Sequence, residues 1–109
     1  MKIHIEDLEF PCIIGILDFE REKEQDIIIN LTIDYEYKDE FINYADVVLF
    51  IKIHTKKSKF LLLEDALSSL STKLKEKFPL TNTLSLKITK PSILPDAKVS
   101  LSNIYHFNS

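Results

Sequence analysis

The chain holds one glycine, Gly15, among its 109 residues. Glycine alone takes unusual backbone angles without steric cost, so a sequence that uses it once marks the place where other side chains do not fit. There is one cysteine, Cys12, which excludes an internal disulfide and suits a reducing compartment; the expected location is cytoplasmic. Cys12 has no cations near it in sequence and reads as a small apolar residue. No apolar run is long enough to span a bilayer, and the alternating, acid-bearing start Met1–Glu6 is unlike a signal peptide. Positive charge is not in excess. Fourteen basic against 17 acidic residues leave −3, which gives no electrostatic reason to bind nucleic acid or an anionic membrane. His4, His54 and His106 are scattered, without His-x-His or His-x3-His spacing, so no metal site is expected. Gly-rich phosphate loops, Gly-x-Ser-x-Gly, repeats and low-complexity tracts are all missing.

What is present is a 45% hydrophobic composition, that of a packed globular protein, over a length that suits a single domain spanning residues 1–109. Lys2 to Ile14 reads as a strand. Ile3 and Ile5 share a face, Leu8 and Phe10 change the parity, and Pro11 cannot donate to a ladder, so a bulge or an edge strand is expected there. Ile27 to Tyr37 alternates cleanly: Ile27, Ile29, Leu31, Ile33, Tyr35 and Tyr37 on one side, mostly polar residues on the other. That pattern fits an antiparallel sheet covered on one face. The stretch from Gly15 through the charged run between these strands reads as a turn that lets them pair.

Asn43 looks like a helix cap, with Asp46 three residues on as in a capping box. The following Val47–Ile53 is apolar and partly β-branched, so propensity alone would also allow a buried strand. The cap and the cations Lys52, His54, Lys56 and Lys57 favour a helix. Phe60 to Phe78 is the stronger helix, with one stripe of Leu63, Leu67, Leu70, Leu74 and Phe78, acids Glu64 and Asp65 at its start, and Pro79 at its end. Thr83 to Lys90 is a third strand with Leu84, Leu86 and Ile88 inward. After a loop bracketed by Pro91 and Pro95, Ala97 to Phe107 is a fourth, with Val99 and Leu101 expected inward. The order β-β-α-α-β-β predicts an α+β fold: a four-stranded antiparallel sheet with two helices on one face. Such an open sheet leaves edges that oligomerisation commonly covers.

Four short motifs carry a resemblance. Gly15-Ile-Leu-Asp-Phe-Glu20, Asn43-Tyr44-Ala45-Asp46, Leu62-Leu63-Glu64 and Ile88-Thr89-Lys90-Pro91 stand in the order of the signatures of dihydroneopterin aldolases, and together they span most of the chain. The chain resembles that family, and the resemblance implies its tunnelling fold, assembled as an oligomeric barrel. It implies a homotetramer or homo-octamer with each pocket shared between subunits, a small-molecule pterin substrate and no cofactor. The implied reaction is retro-aldol cleavage of 7,8-dihydroneopterin, in folate biosynthesis. A related epimerase activity and a non-catalytic pterin-binding role are the alternatives. By the same resemblance, Lys90, Tyr44 and Glu20 are the catalytic residues. Glu64 and Leu63, with Glu20 and Tyr44, would line the substrate pocket. The segment between Tyr37 and Tyr44 is shorter than the family's, and the last strand lacks its Val-Gly-Val-Glu.

Each residue type has a physical reason and a plainer alternative. A carboxylate at Glu64 can accept two parallel hydrogen bonds from an amino-pyrimidinone edge, though an acid at a helix start also simply offsets the dipole. Lys90 precedes Pro91, which restricts its backbone and so fixes where the ammonium points; elsewhere a lysine at a strand end is just solvated. Tyr44 could be a packing residue, and Glu20 could be one more solvated acid among Glu22 and Glu24.

Overall fold

The computed structural model describes residues 1–107. Four strands form one antiparallel sheet in the order β1-β2-β3-β4: β1 (Lys2–Cys12), β2 (Gln25–Tyr35), β3 (Thr81–Lys90) and β4 (Val99–His106). Three helices intervene: α1 (Asp18–Glu22) between β1 and β2, and α2 (Tyr44–Ser58) and α3 (Leu63–Lys77) between β2 and β3. The predicted order holds for the four strands and the two long helices. The short α1 was not anticipated, because five residues rich in charge carry no period from which a helix can be read.

The parity change in β1 is a bulge. Ile5 pairs with Leu31 and Leu8 with Ile29, so β1 advances three residues where β2 advances two. Asp7 absorbs the extra residue at φ 55°, and its N–H donates to the Asn30 side chain at 2.8 Å. The bulge brings Leu8, Phe10 and Cys12 back to the face already occupied by Ile3 and Ile5, which is why the apolar set changes parity without leaving the core. β1 is also an edge strand, as Pro11 requires.

The ambiguous Val47–Ile53 stretch is helical. The Asn43 side chain accepts from the Ala45 N–H at 2.9 Å, and α2 buries Val47, Ile51 and Thr55 at a spacing of four. The capping role belongs to Asn43 alone; the partner it was expected to find in Asp46 is instead an exposed first-turn acid. The chain enters α3 at Leu63 rather than Phe60, and Leu67, Leu70 and Leu74 are buried as the stripe predicts, with Leu63 half-buried. Full burial of one such leucine is worth about 1.5–3 kcal/mol, so Leu70→Ala would take a large share of the margin that holds α3 to the sheet.

β3 presents Leu84, Leu86 and Ile88 to the helices and Lys87 to the opposite, open face. The same alternation carries Lys90, two residues beyond Ile88, to the covered side at the strand's last position. Two inward expectations are corrected. Tyr37 lies beyond the end of β2 at Tyr35 and is exposed. Val99 is exposed, because it begins an edge strand opposite Lys90, where the sheet opens into a cleft; Leu101 is half-buried against the core. Among the described residues no helix is long and apolar enough to cross a membrane.

Candidate active site

The site is built where β1 ends, β3 ends and α3 begins. Beyond Cys12 the chain leaves the sheet, buries Ile14, and passes Gly15 at φ +119°, a region that residues with a Cβ rarely adopt. A Cβ on Gly15 would run into the carboxylate of Glu20. The glycine therefore supplies both a backbone angle and the space for one acid.

That acid is buried, with 2% of its side chain exposed, while its neighbours Glu22 and Glu24 face solvent. Glu20 Oε2 accepts from Lys90 Nζ and from Gln25 Nε2, both at 2.8 Å, and Oε1 accepts from the Leu17 N–H at 3.1 Å. Burial pushes the pKa of Glu20 up. The hydrogen bonds from Lys90, Gln25 and Leu17, with the Lys90 charge, outweigh it and hold the carboxyl below its ordinary value. Glu20 is thus an anion whose acceptor positions are occupied. It holds and orients Lys90, whose own side chain is 12% exposed, rather than standing free to take a proton.

Lys90 opens on its other side into a cleft of about 230 Å³. Leu61, Leu62, Leu63 and Glu64 form one wall, Val99, Ser100 and Leu101 another, and Ile16 the rim. Glu64, in the first turn of α3, is exposed and lines the same cleft. Other clefts are larger, and the two largest of them, of about 420 and 430 Å³, lie at the other end of the molecule, around Glu40, Pro79 and Leu80. Among the described residues, none of the larger clefts holds a buried ion pair. Chemistry rather than size therefore places the site at Lys90.

Of the five residues singled out in the sequence, Glu20 and Lys90 touch, and Leu63 and Glu64 share the cleft with Lys90. Tyr44 does not join them. It is exposed at the first position of α2, and Arg21 holds the other end of that helix beside the site. Fifteen helical residues separate the two ends by about 20 Å. Cys12 is fully buried; burial and Glu24 push its thiol up to about 11 against Lys56 and Lys90, which leaves it an unreactive packing residue.

A model of the family described as FolB, dihydroneopterin aldolase, matches residues 3–102, a span that includes all five residues. The chain belongs to the dihydroneopterin aldolase family. Solved structures of the family share its fold. A protein assigned as a dihydroneopterin aldolase (FolB) from Vibrio cholerae is 24% identical at a TM-score of 0.89, covering 98% of both chains. E. coli dihydroneopterin aldolase in complex with neopterin is 20% identical at 0.85, over 96% of this chain and 98% of that one. A Burkholderia dihydroneopterin aldolase bound to guanine is 14% identical at 0.79, over 99% and 92%. No curated protein matches at a significant level. The four-stranded sheet with two long helices is thus the tunnelling fold of these aldolases.

Two residues of the site escaped the sequence reading. Gln25 bridges Glu20 Oε2 and the Ile14 carbonyl, the latter at 2.9 Å, and so ties the acid to the backbone before the glycine turn. Arg21 donates to the carbonyls of Gly15, Phe60 and Lys59. A signal for both was available. Gly15, Arg21 and Gln25 are the chain's only glycine, only arginine and only glutamine, and they fall within eleven consecutive positions.

Proposed function

We propose that this chain is a 7,8-dihydroneopterin aldolase, cleaving its substrate to 6-hydroxymethyl-7,8-dihydropterin and glycolaldehyde. The observation that carries the reading is the Lys90–Glu20 pair, 2.8 Å apart, at the base of a cleft whose wall carries Glu64. A retro-aldol step removes a hydroxyl proton, breaks the adjacent carbon–carbon bond, and needs somewhere for that electron pair to go. The dihydropterin ring offers a C=N bond next to the breaking one, so the pair flows into the substrate's own ring. The enol-like carbon is then reprotonated.

The protein's part is to bind, orient and move protons. Glu64, with Leu63 against the ring, anchors the amino-pyrimidinone edge through paired hydrogen bonds. Lys90, held by Glu20, handles the hydroxyl proton through a water. Tyr44 serves the proton relay at the product carbon. With the length of α2, about 20 Å, between it and the connection that walls its own chain's cleft, Tyr44 can do so only in a neighbour's site. That supports a ring of four or eight copies with shared pockets, which also covers the unpaired edges of β1 and β4. The expected setting is the cytoplasm, and no cofactor or metal is required.

The test is to incubate the pure protein, with and without prior chelator treatment and dialysis, with 7,8-dihydroneopterin. Formation of glycolaldehyde and 6-hydroxymethyl-7,8-dihydropterin, undiminished by the chelator, is the expected result. A product of unchanged mass with inverted side-chain stereochemistry and no glycolaldehyde would assign the epimerase reaction instead. Pterin binding without turnover would make the chain a binding protein, and activity that returned only with zinc would place it elsewhere within the fold.

A further inference from the structure

Arg21 sits next to Glu20 on α1 but points the other way. Its Nη1 donates to the Gly15 carbonyl at 3.0 Å and to the Phe60 carbonyl at 3.1 Å, and its Nη2 donates to the Lys59 carbonyl at 2.9 Å. The Gly15 N–H also donates to the Phe60 carbonyl at 3.0 Å. Lys59 closes α2 in a left-handed conformation, φ 48°, so its carbonyl and that of Phe60 lie at the negative end of the helix dipole. A guanidinium from a different element caps them. Its planar fork reaches three carbonyls at once, which a lysine ammonium on the same stem cannot match in geometry.

Two of the three, those of Lys59 and Phe60, belong to the four-residue connection, residues 59–62, that delivers the chain to α3. Leu61 and Leu62 in it are cleft wall, and Glu64 follows within two residues. The start of α3 has no side-chain cap of its own, since Leu62 at that position offers none. The wall is therefore held from outside, by Arg21 and Gly15.

We infer that Arg21 is a positioning residue for the substrate-binding wall: it fixes the 59–62 connection, and through it Leu62 and Glu64, against the loop that carries Glu20. This rests on the aldolase reading above for the identity of the ligand. Glu20 ties α1 to Lys90 and Arg21 ties it to the wall, so one short helix sets the distance between proton-transfer group and ring anchor. Loss of the Arg21 fork should then act on binding rather than on the proton step.

The experiment compares wild type, Arg21→Lys and Arg21→Met by three readouts: steady-state kinetics with 7,8-dihydroneopterin, neopterin titration, and amide hydrogen exchange. For Arg21→Lys the expected result is a rise of about 10-fold in KM and in the neopterin Kd, the equivalent of one charge-assisted hydrogen bond, with kcat changed less than about 3-fold. Exchange should quicken over residues 60–66 and stay unchanged at Leu70–Leu74. Arg21→Met should go further in the same direction, and if it fails to fold Arg21→Lys still decides. A lower Tm with KM and Kd unchanged would make Arg21 merely structural and overturn the proposal. So would a fall in kcat at constant KM, which would assign the fork to Glu20. A wild type that neither binds neopterin nor forms glycolaldehyde would instead sink the aldolase reading, and this ligand assignment with it.

Discussion

The carboxylate of Glu20 fills the space that a side chain on Gly15 would need. The glycine's φ of +119° closes the turn, and the missing Cβ lets the acid fold back beneath it toward Lys90 and Gln25. Gly15→Ala should fail on both counts. Backbone strain of this kind costs about 1–3 kcal/mol, and the methyl group must also displace a carboxylate held by three donors. The expected outcome is a clear drop in urea midpoint, with turnover reduced about 100-fold or more because Lys90 loses its orienting partner. Wild-type turnover in Gly15→Ala would show that the Glu20–Lys90 contact is not needed for the chemistry.

The same pair makes stability depend on pH in a stated direction. Glu20 has a folded-state pKa held below its ordinary value near 4.5. The native state therefore favours the ionised form, and the associated stability is fully present above about pH 4.5. It is lost as pH falls through the unfolded and then the folded value. Glu20→Gln removes this titration and leaves Lys90 without its charge partner, which costs about 3 kcal/mol at neutral pH for a buried pair. The gap between wild type and Glu20→Gln in urea unfolding should narrow on going from pH 7 to pH 3, since the other carboxylates are common to both. A gap that stayed constant would contradict the assigned shift.

The sheet was legible because its residues repeat. The period of two in β2 and the parity change at Leu8 both survive as structure, the second as the bulge at Asp7. α2 was legible only through Asn43 and the cations toward its end, since Val47–Ile53 by itself suits a strand equally well. The site was legible as a set of motifs but not as a geometry. Glu20 looks like any acid in a charged run, and what buries it is Lys90, seventy positions away. Arg21 and Gln25 act mainly on or beside backbone carbonyls, and a carbonyl has no letter in a sequence. Val99 misled because the alternation reaches back to the first residue of β4 while the covering elements do not.

Glu64 and Lys90 line one cleft but are expected to fail differently. If Glu64 anchors the ring, as proposed, it contacts it in ground and transition states alike, so Glu64→Ala should weaken neopterin binding by at least ~10-fold. In the proposed role Lys90 handles a proton in flight, so Lys90→Met should lose about 100- to 10,000-fold in single-turnover rate while binding changes far less. Lys87 lies on the open face of β3, exposed, and Lys87→Met should leave both rate and binding near wild type. Equal losses of binding and rate in Lys90→Met would make it a uniform binding group. No loss in either would remove it from the site.

Tyr44 gives the sharpest test of a shared pocket, because it opens α2 at the end of the fold away from Lys90, the last residue of β3. If a site takes Tyr44 from one copy and Lys90 from its neighbour, Tyr44→Phe and Lys90→Met each spoil every site in a homo-oligomer. In a mixed ring the outcome differs. Where a Lys90→Met subunit lends its intact Tyr44 to a Tyr44→Phe subunit, the site has both groups. Random mixing at equal amounts puts such a pairing at ~25% of the interfaces of a cyclic assembly. Co-unfolding and refolding the two inactive variants should therefore restore about a quarter of wild-type turnover, and light scattering should show four or eight copies. Refolding each variant alone should restore nothing. If the mixture has the expected size but stays inactive, Tyr44 and Lys90 do not meet across an interface. If wild type is a fully active monomer, the shared pocket itself is wrong.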